Sequence, residues 1–183
     1  MRGAENWDGG RVRWGGCVGD RRVMALPTEV ASFFSVTESF APIDQVEWER
    51  GCPDAITSDL IWKLHAYRAA FFLLDLARAD IRIGAKRGLD RDIAAPLLDS
   101  AASISANISE GYSRGTRADR LRFLGYALGS LRESISWYRA AADFLPPGAS
   151  DQRLCVIARI RPLLLGLIKS TRARSQPRHE FEP

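Results

Sequence analysis

The side chains best placed by type and spacing to do chemistry lie in the middle of the chain. Asn107 and Glu110 stand three residues apart, within one helical turn, beside an apolar stripe. An amide and a carboxylate so spaced can act as a proton-handling pair. They can equally be a packing device, in which the polar side chain bonds the following turn or fixes register. The packing reading is preferred: no nucleophile with its base, no P-loop and no G-x-S-x-G elbow accompanies the pair. His65 is the only histidine between residues 56 and 172 and stands off the main apolar stripe of its helix. Two-metal bundles use Glu-x-x-His motifs, and none of the expected helices contains one. The expectation is a non-enzyme with no catalytic residue, no metal site and no cofactor.

Arginine offers a different chemistry. Arg114, Arg117 and Arg120 cluster around one turn, and Arg122, Arg132 and Arg139 flank the seam of the helix that follows. Guanidinium groups repeated in this way suit a phosphate backbone, more so if an oligomer multiplies them. The competing reading is a solvated face paired with Asp119 and Glu133. Residues 56–172 carry 18 basic and 11 acidic side chains, whereas residues 1–55 carry 6 and 9 and residues 173–183 carry 2 and 2. The positive excess therefore sits on the middle of the chain, where it can draw polyanions. Arginine outnumbers lysine 23 to 3, so a compositional bias of the source genome competes as an explanation.

Helical periodicity must position these residues. Leu60, Leu64, Tyr67, Phe71 and Leu74 form the stripe of a first helix starting at Asp59 and ending near Ile83 or Gly84, with glycine as its cap. A second helix starts between Asp90 and Ala95, since Pro96 belongs near a first turn, and runs with Leu97, Ala101, Ile104 and Ile108 inward until Gly111 stops it. Thr116 caps a third helix, with Asp119 at the positive end of its dipole. Leu121, Leu124, Leu128, Leu131, Ile135, Tyr138, Ala142 and Leu145 make one row of that helix; Phe123, Ala127, Ser130, Ser134, Trp137, Ala141 and Phe144 make a second. Two adjoining rows exceed one seam, so Phe123, Trp137 and Phe144 are candidates for a contact with another subunit. Gly125 and Gly129 are read as allowing close helix approach. After Pro146-Pro147-Gly148, Ser150 caps a fourth helix from about Asp151 to Ser170, with Leu154, Ile157, Leu164 and Ile168 inward and a bend at Pro162. Short connections make successive helices antiparallel, so the expected fold is all-α: an up-down-up-down four-helix bundle over residues 56–172.

Residues 1–55 read as a flexible N-terminal extension and 173–183 as a disordered tail. The glycine-rich stretch before Met24 suggests that translation begins at Met24 rather than Met1. No apolar run reaches the roughly 20 residues of a membrane span, and the first residues lack the apolar stretch of a signal peptide. The expected location is cytoplasmic, with no membrane partner. Cys17, Cys52 and Cys155 are far apart and odd in number, which fits neither a disulfide framework nor paired zinc ligands.

The stretch from Ala102 to Tyr112 (ASISANISEGY), followed by Phe123-Leu124 and by Ala127-Leu128-Gly129-Ser130-Leu131-Arg132-Glu133, resembles the bacterial four-helix bundle family associated with 23S rRNA intervening sequences. The resemblance covers most of residues 60–170 and marks Asn107, Glu110, Gly111, Tyr112, Gly129 and Ser130 as structural motif positions. It implies a homo-oligomer, typically a pentameric ring, and kinship with the accessory proteins of diversity-generating retroelements. The partners it implies are the chain itself and RNA, DNA or a reverse transcriptase. Ser105 stands where relatives usually have proline, and Leu98 and Asp99 stand where relatives are usually basic. The latter change argues against nucleic-acid contact through the second helix. A purely structural or protein-binding module is the alternative.

Overall fold

The computed structural model describes residues 44–173; the expectations for residues 1–43 and for the tail from residue 174 lie outside them. Four long helices dominate: α3 (His65–Lys86), α4 (Arg91–Ser113), α5 (Arg117–Ala141) and α6 (Ala149–Ala173), preceded by the short α1 (Gln45–Arg50) and α2 (Asp54–Thr57). Tight 3₁₀ turns at Leu60–Lys63 and Ala142–Phe144 precede α3 and follow α5. Each long helix packs on the next in sequence, and α3 also packs on α6. That closes the four into the expected antiparallel bundle, with α3 and α5 across one diagonal.

Local chemistry sets the helix ends. Asp90 caps α4 by accepting from the Asp92 amide at 3.1 Å. Thr116 caps α5 reciprocally: its Oγ1 accepts from the Asp119 amide at 3.1 Å and donates to the Asp119 carboxylate at 2.7 Å. The end of α3 differs from expectation. The helix continues to Lys86, and the left-handed cap residue is Gly88, at φ 88°, rather than Gly84. The Leu89 amide returns to the Gly84 carbonyl at 2.9 Å, and the Gly88 amide to that of Ala85 at 3.3 Å, the bonding of a Schellman motif. Gly84 has another duty: a Cβ there would lie 2.8 Å from Leu89 Cδ2.

Gly111 does not stop α4 either. It is buried inside the helix, where an added Cβ would lie 3.2 Å from Phe123 Cβ and 3.3 Å from the Arg120 carbonyl, so it sets the closeness of α4 to α5. Ser150 is not the cap of the last helix. It lies in the first turn of α6, buried, and donates to the Tyr138 carbonyl at 3.0 Å. Pro162 stands within α6 on its exposed side.

The inward faces were only partly legible from hydrophobic size. On α4 the expected stripe holds: Leu97, Ala101, Ile104 and Ile108 are fully buried, each large one contributing about 1.5–3 kcal/mol. On α3 it does not. The core face is Ala66, Ala69, Ala70, Leu73, Ala77 and Asp80, while Leu60 is 60% exposed and Tyr67 and Phe71 are half-buried. The large aromatics instead make a flank that carries α1. Trp48 packs on Phe72 at 5.2 Å between centroids and on Trp62 and Phe71 at 6.0 Å, and its indole nitrogen donates to Asp75 at 3.0 Å.

On α5 the core takes alternate members of the two expected rows. Leu124, Leu131, Tyr138 and Leu145 come from the first row, and Ala127, Ser134 and Ala141 from the second. A straight helix of 3.6 residues per turn brings these to one line and leaves the other members of each row flanking it.

Candidate functional site

The turn between α4 and α5 gathers four of the six candidate arginines at one end of the bundle. Arg114 pairs with Glu110 one turn back and lies 5.0 Å from the centre of the Phe123 ring. Arg122 pairs with Asp119 at 3.0 Å and lies 5.3 Å from the same ring. Phe123 thus carries two guanidinium groups and an edge contact from Tyr126 at 5.9 Å. These two cations are balanced by carboxylates on their own helices.

Arg117 and Arg120 are held differently. Arg120 donates through Nε and Nη2 to the Arg114 carbonyl, at 3.3 and 2.9 Å, and Arg117 donates to the Arg172 carbonyl at the end of α6, at 3.1 Å. Carbonyl partners orient a guanidinium without cancelling its charge. Both arginines line a cavity of about 360 Å³ whose other walls include Leu64, Ile108, Leu124 and Leu167. Tyr112, 42% exposed, stands beside it.

Arg132 and Arg139 are exposed further along α5. At 1.5 Å per residue, Arg139 stands roughly 25 Å along the axis from Arg122, so the structure does not merge the two groups into one patch. Among the described residues neither Arg132 nor Arg139 makes an ion pair, so the expected pairing with acids applies to Arg122 and Asp119 only.

Of the motif positions, Gly111 is buried where α4 meets α5. Asn107 donates to the Ser103 carbonyl of the preceding turn at 2.8 Å, and Glu110 is engaged with Arg114. The two side chains thus bond different partners and not each other. Among the described residues Gly129 and Gly125 do not mediate a helix contact: a Cβ on either would meet nothing within 4 Å. Ser130 is half-buried and its carbonyl accepts from the Ser134 hydroxyl at 2.9 Å. Of the interface candidates, Trp137 and Phe144 pack, half-buried, on the chain's own core, while Phe123 belongs to the arginine cluster. His65 is exposed at the start of α3, its Nδ1 2.8 Å from Arg68 Nη2.

Sequence reading missed a buried polar knot at the opposite end. Asp80 on α3, fully buried, accepts from Arg153 of α6 through Nε and Nη2, both at 2.9 Å, and from the Tyr138 hydroxyl of α5 at 3.1 Å. Burial, with the Asp80 charge beside it, pushes the Tyr138 hydroxyl well above its ordinary pKa of 10.0. Among the described residues no cluster of His, Cys, Asp and Glu could hold a metal ion, and no helix is long and apolar enough to cross a membrane.

Comparison with known proteins agrees with the motif. The family described as 23S rRNA-intervening sequence protein matches residues 85–145, which span α4, α5 and the turn that carries the arginines. A crystal structure of a protein of unknown function from the S23 ribosomal protein family of Bacteroides thetaiotaomicron superposes with a TM-score of 0.53. It is 20% identical, and the alignment covers 57% of this chain and 98% of that one, so it bears on the fold. No curated protein matches.

Proposed function

We propose, for a chain whose central segment belongs to the 23S rRNA-intervening sequence protein family, a non-enzymatic role: a self-associating bundle that contacts the phosphate backbone of RNA or DNA at its α4–α5 end. One observation carries this reading. Among the described residues Arg117 and Arg120 are positioned by carbonyls and not neutralised by carboxylates, so two oriented positive charges stand beside the turn. A phosphate would complete their hydrogen bonding with no rearrangement of the rim. A reverse transcriptase acting on that nucleic acid is a compatible further partner.

Fluorescence anisotropy with a labelled oligonucleotide tests the proposal. Binding weakens steeply as salt rises, and Arg117→Glu or Arg120→Glu lowers affinity at every salt concentration. Salt-insensitive binding, or binding unchanged in both variants, overturns it.

Self-association is supported by the outer side of α5. Gly125 and Gly129 meet nothing within 4 Å, and Tyr126 beside them is 54% exposed. Mid-helix glycine costs about 0.5–1 kcal/mol relative to alanine, and no contact among the described residues offsets it. A second copy packed there would. Light scattering that returns a monomer mass at micromolar concentration overturns this part. A protein-binding role without nucleic acid is the second reading, favoured by the exposed Leu163 and Leu165 on α6.

A further inference from the structure

We infer that the cavity at the α4–α5 end is a binding site for a small amphipathic anion, an apolar body carrying one terminal carboxylate or phosphate. The cavity is built from the whole bundle. Leu64 comes from the residue before α3, Ile108 from α4, Leu124 from α5 and Leu167 from α6. It is thus an extension of the hydrophobic core beyond its last packed layer. Its volume of about 360 Å³ falls within the roughly 300–1,000 Å³ of small-molecule sites.

The lining decides the ligand class. Among the described residues its charged members are Arg117 and Arg120, and none of the lining side chains is a carboxylate. The nearby acids are engaged elsewhere: Glu110 with Arg114, Asp119 with Thr116 and Arg122. A neutral apolar ligand would cover the two guanidinium groups without a counter-charge, which is costly. A bare inorganic anion would leave the aliphatic walls wet and gain nothing from them. A molecule with both parts satisfies both surfaces. The rim is also set in advance, because Arg117 ties α5 to the end of α6 and Arg120 ties it to the end of α4. Gly115, with nothing within 4 Å of an added Cβ, leaves the mouth open.

The inference stands apart from polyanion contact, although Arg117 and Arg120 serve both. Its test is calorimetric titration of the full chain with decanoate and, separately, decyl phosphate, both below their micelle concentrations. Decanol supplies the body without charge, and acetate and inorganic phosphate supply charge without a body. At least one amphiphile binds tenfold or more tightly than decanol and than its own head group, and comparison of the two identifies the preferred head. Thr171→Trp, which fills the cavity from α6, and Arg117→Gln, which removes one cation, each weaken that binding tenfold or more while far-UV circular dichroism stays unchanged. A Thr171→Trp variant that loses helical content is replaced by Gly115→Trp, which fills the mouth from the turn. No binding of either amphiphile, equal binding of decanol, or full binding by a folded cavity-filled variant overturns the inference. Oligonucleotide binding measured on the same Thr171→Trp protein, whose two arginines are intact, separates this result from the polyanion proposal.

Discussion

Asp80 shows how much one side chain can hold and how little its letter reveals. In the sequence it is an acid on an amphipathic helix, a type that is exposed far more often than buried. It is nonetheless fully buried and makes three bonds to two other helices. Its position three residues after Ala77 and seven after Leu73 puts it in line with the core face, but that line is legible only once the alanines are known to face inward. Asp80→Ala leaves Arg153 buried without its carboxylate, and the expected loss is about 3–5 kcal/mol, read by urea denaturation. Tyr138 gives a pH signature. The folded chain holds its hydroxyl proton more tightly than the unfolded chain, so its stability contribution is full below pH about 10 and is lost as pH rises towards the higher folded value. Thermal melts from pH 8 to 11 should show this fall, and Tyr138→Phe should flatten it.

At the scale of elements, periodicity marks each long helix, Thr116 marks the start of α5, and Pro96 brackets the start of α4, whose cap is Asp90. What it misassigned follows one cause. Large apolar side chains suggest the inward face, whereas α3 turns its alanines inward and gives Tyr67 and Phe71 to Trp62 and Trp48. Small residues lack a strong sequence signal because the same alanine suits a tight seam and a surface. The glycines differ from expectation for a related reason: among the described residues close helix approach occurs at Gly111, not at Gly125 or Gly129. Gly111→Ala therefore requires α4 and α5 to give by a few tenths of an ångström at the arginine turn, and after alanine's better helix propensity is set against this the net cost is about 1 kcal/mol, measured by denaturant unfolding. Thr116→Ala removes the cap of α5 and costs about 1 kcal/mol. The arginine turn itself was legible as a cluster, but which of its members remained un-neutralised depended on backbone carbonyls that no side-chain pattern encodes.

For the molecule as a whole, the two ends of the bundle are built on opposite principles. One is tied by the Asp80 knot, where Arg153 and Tyr138 bring α6 and the diagonally opposite α5 onto the same carboxylate. The other holds an open volume where the four helices' last apolar residues fail to meet. Rigidity must be divided in the same way, because a gap forfeits contacts that a filled interior keeps. Hydrogen exchange should find the slowest amides around Tyr138 and Arg153 and faster ones around Ile108 and Leu167. A uniform profile along the helices would contradict this division. In a bundle so made, whatever fills the open end adds contacts between all four helices where the interior has none, and leaves the Asp80 knot at the far end as it is.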